Sequence, residues 1–278
     1  DDLDYGYSYL SEAINKNDID HFHFFLTNFG AWKRPTGVEY NSLIQKNSKS
    51  RIGRSYLRNG VFNNQMKIWN WFYNNSKNFE SLNLPNHGNL QGAKIDNVFL
   101  VPGSYWNEIY GTTLSNLLVS KEKPVIAELG GGYGKLAHYI IKNLNNFIYI
   151  DFDLPETLCL AAYFLMMSYP DKKILLYGEN EIENNLNEYD FIFFPSFAID
   201  KLENNSTDLF LNRNSLGEMS GKTAKNFIKI IKTKVRKYFF HMNHNNVRNF
   251  YREGDHGILS DEYEVSDKQF KLLFKYPD

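Results

Sequence analysis

The segment ELGGGYG (128–134) sets an acid, Glu128, two residues ahead of three alternating glycines, Gly130, Gly132 and Gly134. Glycine reaches dihedrals closed to other residues and lets the backbone approach a ligand closely. The helix predicted after it, KLAHYIIKNL (135–144), offers unpaired N–H groups at its start. Dinucleotide-binding folds use G-x-G-x-x-G, and there the N–H groups face a pyrophosphate. Here the spacing is G-x-G-x-G behind a carboxylate. That carboxylate repels phosphates and suits a ligand carrying positive charge.

Asp153 adds a second acid. It ends the next predicted strand, FIYIDFD (147–153), where α/β nucleotide folds place a carboxylate to hold ribose hydroxyls. Asp151 is the neighbouring candidate on the same face of the strand. Asp153 is preferred because it directly precedes Leu154, Pro155 and a helix. S-adenosyl-L-methionine (AdoMet) has an ammonium, a sulfonium and no phosphate, so the two acids favour it over NAD. Leu154 is expected to flank the same cofactor, and S-adenosyl-L-homocysteine would be the product form.

The elements that position these residues follow from periodicity. From Pro124 onward apolar strands alternate with helices, the pattern of a parallel α/β sheet. The strands are VIAEL (125–129), FIYIDFD (147–153), KILLYG (173–178), DFIFFPSF (190–197), DLFLN (208–212) and YFFHMN (238–243). Helices are expected over 135–144, 156–169 and 218–231, and YEVSDKQFKLLFKY (263–276) is expected to supply a terminal strand pair. Before the sheet, 8–29 and 61–75 place apolar residues at helical spacing. Residues 83–112 read as ordered loops with a short strand at 97–101, leading into a short helix at 113–120. The expected organisation is therefore a helical cap and substrate lid over 1–112 and a Rossmann-like AdoMet-binding domain over 113–278.

Composition narrows the classes. Hydrophobic residues make up 42% of 278, enough to build a sizeable core. With 31 basic and 32 acidic residues the net charge is -1, which gives no general attraction for nucleic acid. Arg51, Arg54 and Arg58 form a small basic group that a phosphate-bearing acceptor such as a nucleotide-sugar could use, with a solvated helix face as the preferred explanation. Cys159 is the one cysteine, so neither an intrachain disulfide nor a cysteine metal cluster is expected. The longest apolar run, LCLAAYFLMM (158–167), is about half of what spans a bilayer. The opening DDLDYGYSYL lacks the basic and apolar regions of a secretory signal. The cytoplasm is the expectation, with a homo-oligomer open.

At ELGGGYGKLAHYI (128–140), DLPETL with AAYFL (153–165) and NSLGEM (214–219), the chain resembles class I methyltransferases, and more narrowly a bacterial sugar O-methyltransferase family. The resemblance covers roughly 97–245. It implies AdoMet-dependent methylation of a sugar hydroxyl, on a surface polysaccharide, nucleotide-sugar or other glycoside. An NAD-dependent oxidoreductase and an inactive methyltransferase-fold binding subunit are the alternatives.

Methyl transfer to a hydroxyl needs alignment of two reactants and a proton acceptor. Small-molecule O-methyltransferases carry a histidine after the fourth core strand, and this sequence lacks it. Glu218 falls in the corresponding region and is the first candidate base, although it can equally complement a helix start near Ser215. His244 and His241 follow, in and after the YFFHMN strand, with His256 in a loop behind them. Asn214 and Ser215 are expected to line the cofactor or to cap a helix. Tyr105, with Trp106 and Tyr110, offers aromatic faces for adenine or sugar, or for core packing. No metal-ligand spacing is present, so no metal is expected.

Overall fold

Strands buried on both faces of a parallel sheet read as near-continuous apolar runs, and VIAEL and DFIFF have that texture. The computed structural model describes residues 2–31, 50–180, 186–245, 256–265 and 268–275. Helices α1 (Asp2–Asn15), α2 (Ile19–Asn28), α3 (Arg51–Tyr56) and α4 (Asn63–Phe72) come first, then the hairpin of β1 (Ala93–Ile95) and β2 (Val98–Leu100) and the long α5 (Ser104–Leu118). The core continues through β3 (Val125–Leu129), α6 (Lys135–Ile141), β4 (Ile148–Asp153), α7 (Pro155–Ser168), β5 (Ile174–Leu176), β6 (Phe191–Pro195), β7 (Thr207–Arg213), α8 (Gly221–Lys234) and β8 (Val235–Met242).

The six core strands lie in the order β5-β6-β4-β3-β7-β8, every pairing parallel. The fold is a Rossmann-like α/β sheet behind a helical N-terminal region. From β3 the chain moves toward β4 and completes that half before crossing to β7, and from β7 it moves the other way to β8. The loops leaving β3 and β7 therefore diverge, opening a crevice at the carboxyl ends of the strands, where open α/β sheets bind ligands.

Side-chain alternation sorts the sheet into two faces. Ile126, Tyr149, Leu209 and Leu211 face α6 and α7, and Phe25 and Phe29 of the N-terminal region join that cluster. Ala127, Leu129, Ile150 and Phe210 face α8. The ring of Phe29 lies 5.4 Å from Tyr133, which packs edge-on against Phe164 of α7 at 5.2 Å. A third cluster, with Phe62, Trp69, Leu82 and Ile109, sits beneath α4 and α5. Within it the buried Glu108 accepts Trp69 Nε1–H at 2.6 Å and Thr112 Oγ1–H at 2.8 Å, and pairs with Lys77.

Local chemistry explains the departures from the sequence reading. The span 8–29 is two helices, because Asn17 takes a left-handed φ of 50° and Asp18 caps α2 by accepting His21 N–H at 2.9 Å. Helix α5 begins well before 113. Gly103, at φ 72°, turns the chain into it, and Ser104 Oγ accepts Val101 N–H. Of the expected terminal strand pair, the described residues form no strand. They dock side-on instead: Gln269 donates to the carbonyl of Lys232, Lys232 donates to that of Glu264, and Phe270 rests against Phe239.

Helices α5 and α6 touch at Gly111, where a Cβ would lie 2.5 Å from the Tyr139 carbonyl oxygen. Nothing there is a movable side-chain tip, so Gly111→Ala must part the helices. Overpacking of this kind costs about 1–3 kcal/mol. Thermal unfolding of the variant should show that loss, and an unchanged midpoint would disprove the close packing.

Candidate ligand site at the carboxyl ends of the central strands

Parallel register places Glu128 of β3 beside Asp151 of β4 on one side and Leu211 of β7 on the other. Glu128, Tyr149, Asp151 and Asp153 share the sheet face that carries α6 and α7, since Tyr149 belongs to that face's core. Glu128 is buried and accepts the Tyr149 hydroxyl at 2.7 Å. After Leu129 the chain bends sharply, with φ of 79°, 61° and 86° at Gly130, Gly132 and Gly134. A Cβ on Gly130 would lie 2.3 Å from Ser215 Oγ, so the loop after β7 leaves no room for one. Gly134 is the residue before α6 and rests on Leu165.

The bend is held by the acids of β4. Asp153 accepts Gly132 N–H at 3.0 Å through one oxygen and Leu154 N–H at 2.7 Å through the other. Asp151 is completely buried and accepts Gly131 N–H at 3.2 Å through Oδ1. Its Oδ2 is buried with no hydrogen-bond partner among the described residues. Arg213, at the tip of β7, donates to Asn107 of α5 at 2.7 Å.

Charge is concentrated here. Burial raises the Glu128 carboxyl to about 6, against the Tyr149 hydrogen bond and the Arg213 cation that favour its ionised form. Burial also lifts Asp153, although the Leu154 and Gly132 N–H groups oppose it. Asp151 is pushed well above the carboxylate range by burial, then by repulsion from Asp153 and Glu128. Among the described residues no three His, Cys, Asp or Glu side chains gather in a metal-holding arrangement.

A second set of polar groups knits the loops after β3, β7 and β8. Asn212 Nδ2 donates to the Leu129 carbonyl at 2.9 Å and to Ser215 Oγ at 2.6 Å, and Ser215 Oγ donates to the same carbonyl. Asn243 Nδ2 donates to Asn212 Oδ1, and Asn243 Oδ1 accepts Gly217 N–H. Asn214 adopts a φ of 64° and gives its N–H to the Met242 carbonyl.

The residues expected from sequence distribute as follows. Glu128, Gly130, Gly132, Gly134, Asp153 and Leu154 come together around the bend, with Leu154 40% exposed beside it. Ser215 abuts Gly130, and Asn214 precedes it in the same loop. Glu218 is exposed at the end of the 3-10 turn Ser215–Glu218. His244 is exposed on the next loop, 3.7 Å from where a Gly217 Cβ would be, so the two share a rim. His241 lies on the opposite sheet face between Phe239 and Tyr263, and burial lowers its pKa. Tyr105 packs toward the cluster under α4, with its ring 5.0 Å from Trp106, whereas Asn107 takes the side of α5 facing Arg213. His256 is exposed, with its carbonyl accepting Gly221 N–H. The side chains of Arg54 and Arg58 lie outside the described residues. Asn212, Asn243 and Arg213 escaped the sequence reading as site members, and Asp151, named there as the neighbouring candidate to Asp153, takes its place beside it. Asn212 and Asn243 each end an apolar strand with an amide, which is the signal that could have found them.

No family model matches this chain, and no curated protein matches it. Several solved structures are similar to part of it. One is assigned to the AdoMet-dependent methyltransferases, from Methanococcus maripaludis, at 14% identity and a TM-score of 0.37, covering 50% of this chain and 55% of that one. The mitomycin 7-O-methyltransferase MmcR overlaps at 10% identity and 0.36, covering 54% and 40%. The methyltransferase CalH, in complex with S-adenosylhomocysteine, overlaps at 12% and 0.33, covering 51% and 40%. The chain thus spans about half or less of the length of these structures. The fold assignment rests on the strand order and register of this chain, not on these overlaps.

The buried acids make stability fall with rising pH. A carboxyl whose folded pKa exceeds its unfolded one stabilises the fold fully below the unfolded value, and that contribution is lost as pH rises through the folded value. For Glu128 the window runs from 4.5 to about 6. Glu128→Gln should flatten the loss of stability across that window in denaturant unfolding. A slope identical to the parent's would contradict the burial described here.

Proposed function

We propose that this chain is an AdoMet-dependent methyltransferase acting on a sugar hydroxyl. The observation that carries the reading is the convergence of three carboxyls, two of them buried (Glu128 and Asp151) and one half-buried (Asp153), at adjacent strand tips around a glycine bend. A pyrophosphate at that place would meet the negative charge that this acid cluster carries, which counts against a dinucleotide. A cationic nucleoside without phosphate meets attraction instead. The donor set therefore fits AdoMet, which supplies an electrophilic methyl group on a sulfonium.

In this reading Asp153 keeps acceptor capacity beyond its two backbone bonds for the ribose hydroxyls, since an ionised carboxylate can accept about four. Glu128 draws the ammonium end, and Leu154 gives apolar surface to the adenine. Ser215 shapes the pocket wall, because its hydroxyl is committed to Leu129 and Asn212. Glu218 and His244, on the shared rim, are the candidates to take the proton from the acceptor hydroxyl. His241 and Tyr105, facing elsewhere, have a structural part. The sugar acceptor rests on the family resemblance and on the polar character of that rim. The described residues among 1–112 would cover the acceptor, and the near-neutral charge argues against a nucleic acid in that role. No helix among the described residues is long and apolar enough to cross a membrane.

Calorimetric titration separates the cofactor readings. AdoMet or S-adenosylhomocysteine should bind, and Asp153→Asn should weaken that binding about tenfold or more, in keeping with loss of hydrogen bonds to a charged group. Binding of NAD in place of both would overturn the assignment. For the base, Glu218→Gln should slow turnover on a sugar acceptor by about tenfold or more with cofactor affinity nearly intact. Unaltered turnover would remove Glu218 from the chemistry.

A further inference from the structure

Three carboxyls share one buried face, and their hydrogen bonds are unequal. Asp153 accepts two backbone N–H groups and is partly exposed. Glu128 accepts the Tyr149 hydroxyl and feels the Arg213 cation. Asp151 accepts one N–H, at 3.2 Å, and its other oxygen is buried without a partner among the described residues. The Tyr149 hydroxyl and Asp151 Oδ1 crowd one point, 2.8 and 2.7 Å from where a Gly131 Cβ would lie. Facing Asp151 from its surroundings are Glu128 on β3, Tyr149 and Asp153 on β4, and the Gly131 N–H of the bend. Its register partner on β6, Phe193, is apolar. The Arg213 cation on β7 acts on Glu128, and Glu156 at the start of α7 acts on Asp153.

Like charges this close in a dry site cannot all be ionised. A proton held by the cluster belongs where the ionised form has least support, which is Asp151. We propose that Asp151 is a specificity-determining carboxyl that carries a proton in the empty site and releases it to solvent when a cationic cofactor enters, so that the site favours the sulfonium form over its thioether product. The inference rests on the AdoMet reading above. The balance is simple: AdoMet keeps all its atoms, one O–H bond of Asp151 breaks, and one proton goes to water. S-adenosylhomocysteine has one positive charge fewer and should draw out less of the proton. Product would then compete less well for the site as pH rises.

Titration calorimetry near neutral pH, in buffers of different ionisation heat, counts the protons. AdoMet should release a large fraction of one proton and S-adenosylhomocysteine clearly less. Asp151→Asn keeps an oxygen for the Gly131 N–H. It should abolish the release and cut the AdoMet-to-product affinity ratio about tenfold. A second readout uses the parent protein alone. With carbon-13-labelled aspartate, the infrared band of a protonated aspartic acid should be present before AdoMet is added and bleached after. Binding of AdoMet without proton release, or release that persists in Asp151→Asn, overturns this role for Asp151 and leaves the cofactor assignment standing. Failure of AdoMet to bind at all overturns both.

Discussion

A glycine bend whose backbone N–H groups are taken up by carboxylates of the neighbouring strand is the constraint on which the rest depends. Gly131 and Gly132 donate to Asp151 and Asp153, Gly130 donates to the Phe152 carbonyl, and the first half of the bend is thereby fastened to β4. Asp151 is buried and Asp153 half-buried, so their charge is costly unless hydrogen-bonded or neutralised. The loop fixes the acids, and the acids fix the loop. Removing either partner leaves a buried polar group exposed to the full desolvation penalty.

The opposite wall is built differently, from neutral amides. Asn212, Ser215 and Asn243 link the ends of β3, β7 and β8 without adding charge. That division has an electrostatic effect. Negative potential concentrates on the β4 side of the crevice, while the β7 side holds shape and presents Arg213 through its bond to Asn107. In the function proposed above, that asymmetry would orient a ligand with a cationic end as well as hold it.

Much of the fold was legible in the sequence because buried parallel strands leave an apolar signature that local context does not blur. VIAEL, FIYIDFD, DFIFF and DLFLN all fall in the sheet. Their order in space was not legible, since β6 inserts between β4 and β5 through contacts far apart in the chain. Glu128, the glycines and Asp153 stood out because strand, bend and acid occur in fixed succession. Asp151 was seen and set aside, as alternation says which face a residue takes but not what its oxygens meet there. His241 sits in a strand end that invited a functional reading. Its facing follows from Phe239 and Phe240 on either side, a parity that only the core assignment resolves. The helix start at Ser104 was hidden by a Gly- and Asn-rich stretch in which Gly103 is a turn and not a loop.

Tyr133, inside the glycine bend, is clamped between Phe29 from the amino-terminal helices and Phe164 of α7. During synthesis Phe25 and Phe29 emerge long before the residues that cover them. The clamp on Tyr133 can therefore close only once α7 has been made, although Leu84 and Leu90 can cover part of that apolar face earlier. Closing contacts of such sequence separation is slow and leaves intermediates prone to association. The bend can take its final form only late in assembly, so a nascent chain acquires its crevice after nearly everything around it has condensed.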